Sequence, residues 1–184
     1  MKNEQELFDA AVLFTDLRRS AELVTSTSPQ EFFRILNTSL SEQSKVVRDC
    51  GGRVLKFMGD GVMAVFRGAE RARQALHCAR ELAGPHLHRE VAFGIGVAEG
   101  RVVGGMVGDA HHEGHLRQYD VIGATVHLAA RLCAQAEPGE VLATRRIAQA
   151  SGLLLPLRDV GPVEVRGFAS AIDCVSLCVA PSSA

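Results

Sequence analysis

An α+β fold with a ferredoxin-like βαββαβ core and additional C-terminal strands is predicted for this 184-residue chain by three observations. Short apolar runs of strand composition alternate with segments of helical period in the order β-α-β-β-α-β. Glycines stand at the breaks between them. Further short apolar runs follow the sixth element, so a sheet with antiparallel neighbours is expected to lie under helices.

The first strand is AVLFTD, residues 11–16, an apolar run ending in a carboxylate. After the turn-like RRS, apolar side chains at Phe32, Phe33, Leu36, Leu40 and Val47 predict an amphipathic helix from Pro29 to Cys50, stopped by Gly51-Gly52. VLKF and VMAVF, joined by MGDG, predict a β-hairpin with Asp60 at its tip, since glycine permits the tight turn. Ala72, Ala75, Leu76, Ala79 and Leu82 predict a second helix from Ala69 to Gly84. VAFGIGVAEG and RVVGGMVG then predict a second strand pair punctuated by glycine. DAHHEGHLRQ reads as a protruding polar loop, YDVIG as a strand, and TVHLAARLCAQA as a helix ended by Glu137-Pro138-Gly139. EVLAT, LPLRDV, PVEVRG and AIDCVSLCV supply the remaining strands.

With 47% hydrophobic and 22% charged residues, the chain is expected to form one domain over residues 1–184, its core running from about 8 to 180. A formal net charge of −1 argues against nucleic-acid binding and against attraction to an anionic membrane surface. Cys50, Cys78, Cys133, Cys174 and Cys178 form neither a CxxC pair nor a secretory framework, and two fall in predicted helices, so reduced cysteines in a cytoplasmic protein are expected. MKNEQELFDA lacks the basic and apolar regions of a leader, and no apolar run is long enough for a membrane segment.

Two carboxylates stand out. Asp16 lies where the buried strand gives out, and Asp60 at the hairpin tip. Isolated aspartates at such places cap helices or shape turns. The same groups offer oxygen ligands to Mg²⁺ or Mn²⁺, which prefer one or two carboxylates together with substrate phosphates. The surrounding motifs decide between these readings. VLFTDLRRSAEL, GGRVLKFMGDGVMAVF, GIGVAEGRVVGGMVG, QYDVIGATVHLAARL, PGEVLAT and VEVRGF occur in the order and at the approximate spacing found in class III adenylate/guanylate cyclase catalytic domains, which the chain resembles from about Val12 to Val179.

That resemblance implies the class III nucleotidyl cyclase fold and a homodimer with composite active sites. It implies that Asp16 and Asp60, with the backbone carbonyl of Leu17, hold two divalent cations, Mg²⁺ or Mn²⁺. Lys56 and Asp120 match the pair that reads the purine, Arg131 the transition-state arginine, and Arg166 a basic residue contacting the triphosphate. A lysine ammonium donates to adenine N1 and an aspartate accepts from the adenine amino group, whereas guanine presents the opposite pattern, so ATP is expected over GTP. The implied reaction yields 3′,5′-cyclic AMP and pyrophosphate by two-metal catalysis. Four residues apart on a helix, His127 and Arg131 share a face and can reach one ligand.

Two positions depart from the family. His127 replaces its asparagine, which orients the ribose, although an imidazole nitrogen can also donate. Arg19 replaces a glycine in the turn after Asp16, where a positive φ costs a side chain energy. These departures keep open a silent cyclase-like regulatory or nucleotide-binding module, and guanylate cyclase remains a weaker alternative. An upstream regulatory domain or partner is also compatible with the resemblance. His111, His112, Glu113 and His115 sit in a polar loop with no second ligand group at fixed spacing, and are read as solvated.

Overall fold

The computed structural model describes residues 5–84, 92–108 and 117–177. The predicted strand at 11–16 is longer, β1 Glu6–Leu17. It is followed by α1 Ser20–Ser26 and α2 Pro29–Asp49, whose first turn is capped by Ser28 accepting from the Glu31 N–H and started by Pro29. The hairpin comprises β2 Arg53–Met58 and β3 Gly61–Phe66, and α3 spans Arg71–Ala83. Next come β4 Phe93–Gly108, β5 Arg117–Ile122 and α4 Ala124–Gln135. The chain closes with β6 Val141–Thr144, α5 Arg145–Ala150, β7 Leu157–Val163 and β8 Ile172–Leu177.

All eight strands join one mixed sheet in the order β2-β3-β1-β4-β6-β8-β7, with β5 also paired to β4. The first four strands give the 4-1-3-2 order of a ferredoxin-like core, antiparallel at each contact, so the predicted α+β plan holds. Alternation along β1 feeds two cores. Ala11, Leu13 and Leu17 pack with α2, α3 and α5 on one face. Ala10, Val12 and Phe14 pack with Ala129 and Cys133 of α4 on the other.

Three local readings are corrected. The expected strand pair over VAFGIGVAEG and RVVGGMVG is a single 16-residue strand, β4. Its glycines serve close packing: a Cβ on Gly96 would overlap the Ala129 carbonyl and the Cys133 amide, so α4 can settle on the sheet only over glycine. LPLRDV and PVEVRG contribute to one strand, β7, which ends at Val163, leaving Arg166 outside it. The polar loop was drawn too long, because Arg117 and Gln118 already belong to β5. Its histidines and Glu113 lie outside the described residues, as does Cys178. Among the described residues no helix is long and apolar enough to cross a membrane.

Candidate active site

β1 runs antiparallel to β3, which brings the strand end carrying Asp16 beside the hairpin turn carrying Asp60. The approach depends on Gly61: a Cβ there would overlap the Thr15 carbonyl oxygen. Thr15 reinforces it from inside. Its hydroxyl donates to Gln43 Oε1 of α2 at 2.5 Å and accepts from the Val62 N–H at 2.9 Å. Gln43 donates in turn to Ser39 at 3.2 Å, so this buried polar chain is internally paired.

The two carboxyls lie within hydrogen-bonding contact, and this has an electrostatic consequence. Burial, together with repulsion from and hydrogen bonding to Asp60, raises the Asp16 pKa, while the Arg18 guanidinium pulls the other way. Arg18 Nη1 donates to Asp16 Oδ2 at 2.8 Å. Burial and the neighbouring Asp60 both disfavour the charged form of Asp16, and a bound cation would offset both. Among the described residues no group of three His, Cys, Asp or Glu side chains is placed to ligate a metal. Two carboxylates without a third fit Mg²⁺ or Mn²⁺, which complete their shell with water and phosphate oxygens. Leu17 is buried with its side chain in the core, and its backbone follows Asp16 directly.

Lys56 of β2 and Asp120 of β5 meet at 2.6 Å. The second Asp120 oxygen accepts from the Val121 N–H at 2.8 Å. A cavity of about 240 Å³ is lined by residues that include Phe8, Arg53, Leu55, Arg67, Tyr119 and Val121; none of Lys56, Asp120, Asp16 and Asp60 borders it.

His127 and Arg131 share the exposed face of α4, while Thr125, Ala129 and Cys133 face inward. Arg166 is exposed in the segment between β7 and β8. Among the described residues no hydrogen bond or ion pair joins the Asp16–Asp60 pair to Lys56, Asp120, His127, Arg131 or Arg166. The structure therefore brings the expected residues together as two pairs, Asp16 with Asp60 and Lys56 with Asp120, and one helix face. Arg19 adopts φ 61° and ψ 26°, the left-handed conformation its glycine-like position requires. Its side chain turns away to Glu22 at 2.6 Å.

Sequence reasoning missed Arg18, Thr15 and Gln43. Arg18 stood inside a quoted motif, but its partner Cys133 is 115 residues away. A threonine and a glutamine in otherwise apolar, inward-facing series were the available signal for the buried polar chain.

A family model for the adenylate and guanylate cyclase catalytic domain matches residues 3–177, and the chain belongs to that family. Among curated relatives, an uncharacterized protein of Mycobacterium tuberculosis is 36% identical over 149 residues, 77% of this chain and 27% of that protein. A second from the same organism is 39% identical over 142 residues, 73% of this chain and 24% of that protein. The chain thus spans about a quarter of the length of the curated relatives it matches. Among solved structures, the adenylyl cyclase CyaB from P. aeruginosa superposes with a TM-score of 0.87 at 25% identity, covering 97% of this chain and 98% of that one. The guanylyl cyclase Cya2 shares the fold, with a TM-score of 0.80 at 23% identity over 96% and 94% of the two chains.

Proposed function

We propose that this chain is the catalytic domain of an adenylate cyclase, converting ATP to 3′,5′-cyclic AMP and pyrophosphate at sites shared between two copies of itself. The observation that carries the base preference is the partly buried Lys56–Asp120 pair. An ammonium facing adenine N1 and a carboxylate facing the adenine amino group are both satisfied, whereas guanine would meet donor with donor and acceptor with acceptor.

In the reaction the ribose 3′-oxygen attacks the α-phosphorus in line. Its bond to phosphorus forms as the bond to the β-phosphate oxygen breaks, pyrophosphate leaves, and the hydroxyl proton passes to solvent or a phosphate oxygen. Two divalent cations, Mg²⁺ or Mn²⁺, held by Asp16, Asp60 and the Leu17 carbonyl would neutralise the nucleophile and the leaving phosphates. Arg131 supplies a delocalised cation and several donors to the phosphates, and His127 on the same helix face orients the ribose through a ring nitrogen. Arg166 contributes a further cation to the triphosphate.

Shared sites are supported by the separation of these groups within one chain, with Arg131 exposed and turned to no partner of its own chain among the described residues. Exposed apolar side chains also cluster on two hairpins, Phe57 and Met58 on one and Met106, Val107 and Ile122 on the other, as an interface between copies requires. The setting is the cytoplasm, where ATP is available and thiols stay reduced. The greater length of the relatives supports regulation by a further domain or partner.

The test is to incubate purified protein with ATP or GTP and Mn²⁺ and separate the cyclic products. Cyclic AMP from wild type, and none from Asp16→Asn or Asp60→Asn, is expected. Cyclic GMP from GTP in its place would overturn the base assignment. Silence with both nucleotides would make the chain a regulatory or nucleotide-binding module.

A further inference from the structure

Arg18 adds a polar tie between two elements that otherwise meet through apolar side chains, the end of β1 and α4. One arm of its guanidinium donates to the Asp16 carboxylate at 2.8 Å, and the other donates to the backbone carbonyl of Cys133 in the last turn of α4. The arginine is held in a prepared slot. Its backbone N–H donates to the Ala92 carbonyl at 2.8 Å, and its side chain is only 18% exposed. A Cβ on Gly94 would overlap the guanidinium, so glycine there leaves the arginine room for this position. Cys133 fastens the same spot by donating its thiol to the Gly94 carbonyl at 3.2 Å. The acceptor carbonyl lies at the negative end of the helix dipole, where a cation is favoured.

Two features separate this contact from an ordinary surface ion pair. It is a fork with two different acceptors, which the fixed planar geometry of a guanidinium serves together. Its acceptors also belong to different functional groups of the chain: Asp16 of the carboxylate pair, and the helix bearing His127 and Arg131.

We infer that Arg18 is a positioning residue that competes with a cation for Asp16 while clamping the C-terminal end of α4, and so couples the two composite sites of the dimer. This rests on the shared-site reading above. In that arrangement the Asp16 of one chain serves one site, while the Arg131 of the same chain serves the other. A cation drawn to Asp16 loosens one arm of the fork, and the change is felt at the end of the helix that completes the opposite site.

The direct test compares wild type with Arg18→Met and Arg18→Lys, using the electron paramagnetic resonance signal of free Mn²⁺ to measure binding without nucleotide. Arg18→Met removes the competing charge, so Mn²⁺ is expected to bind more tightly while turnover falls about tenfold, the scale of one lost charge-assisted hydrogen bond. Arg18→Lys keeps the charge without the fork, so near wild-type Mn²⁺ affinity with reduced turnover is expected. A merely structural arginine would give the opposite pattern, weaker binding and lower melting temperature with unchanged turnover per metal-loaded protein, and that result overturns the inference.

The coupling is tested in a heterodimer of an Asp60→Asn chain with an Arg131→Ala chain. Its one complete site takes Asp16 and Asp60 from the second chain and Arg131 from the first. Arg18→Met added to the second chain should shift the Mn²⁺ dependence; added to the first, it should lower turnover alone. If the heterodimer forms but is silent before Arg18 is altered, the shared-site reading fails and takes the coupling with it. If it is active and the two placements behave alike, the coupling alone is overturned.

Discussion

Lys56 and Asp120 lie 64 residues apart in sequence and meet at 2.6 Å, although β3, β1 and β4 stand between their strands along the sheet. The contact requires the β4–β5 arm to fold over the face of the β2–β3–β1 segment. Tyr119 and Val121 pack there against the second core, and the Arg53 guanidinium lies 5.4 Å from the centre of the Tyr119 ring. The two side chains satisfy each other, which holds the arm over that face and keeps both polar groups paired.

In the proposed reaction, base selectivity would follow from which atoms this pair presents. Lys56→Glu combined with Asp120→Cys replaces the donor by an acceptor and removes the anion that would face guanine O6. The double variant is expected to lose at least tenfold in kcat/KM for ATP, a difference of about 1.4 kcal/mol, and to gain use of GTP. Paired assays with both nucleotides measure it, and an undiminished ATP preference would move base recognition to other residues.

The carboxylate pair predicts a stability effect of defined sign. The folded-state pKa of Asp16 is raised, by burial first and Asp60 second, above its ordinary value of 3.8. Folded protein therefore holds the Asp16 proton more tightly than unfolded protein does, so stability is greatest below the unfolded pKa and is lost as pH rises through the folded pKa. Asp16→Asn removes the charge and is expected to raise the metal-free melting temperature at pH 7 by about 1–3 °C, a gain that shrinks as the pH falls toward 4. Mn²⁺ should raise the melting temperature of wild type and leave that of Asp16→Asn unchanged. Calorimetric scans at several pH values, with and without Mn²⁺, read both effects.

Much of this was legible in the sequence, and the misses have physical causes. The α2 helix and the β2–β3 hairpin follow from periodicity and Gly59, because each is decided by local spacing. β4 was divided in two because glycine in a strand usually signals an interruption, whereas here Gly94, Gly96, Gly100 and Gly104 admit Arg18, α4, Thr125 and Tyr119. Those neighbours come from distant parts of the chain, so no local rule distinguishes the cases. The short α1 and α5 were missed for a similar reason: at 7 and 6 residues they are too brief for periodicity to register. Asp16 and Asp60 were legible as candidates from the motifs around them, but their mutual contact and its dependence on Gly61 appear only when β1 and β3 are set side by side.

The cysteines predict an order of reactivity. Interaction with the neighbouring Cys78 lowers the pKa of the half-buried Cys50, while that interaction and burial push Cys78 up. Burial raises Cys133 to about 12 and Cys174 to about 11. Iodoacetamide at pH 8 is therefore expected to label Cys50 well before Cys78, Cys133 or Cys174, as peptide mapping of briefly treated native protein would show. Equal labelling of Cys50 and Cys133 would mean that access, and not thiolate character, governs reactivity.

Arg19 is the one non-glycine residue with positive φ among the described residues. A side chain in the left-handed region suffers a clash between its Cβ and the following carbonyl that glycine escapes. The turn tolerates it because both neighbouring segments fix the backbone: Arg18 is bonded to Ala92, and the Arg19 carbonyl accepts from the Glu22 and Leu23 amides that begin α1. The Glu22 ion pair does not repay the strain, since its partners are 75% and 64% exposed and such pairs contribute little. Arg19→Gly is therefore expected to raise the melting temperature by about 2–4 °C despite the greater chain entropy of glycine in the unfolded state. The same change separates two roles for this position in the proposed reaction. If strain is its only consequence, kcat and KM for ATP stay as in wild type; if the exposed guanidinium also draws the triphosphate toward the turn, Arg19→Gly raises KM with kcat unchanged, and the effect fades as ionic strength increases.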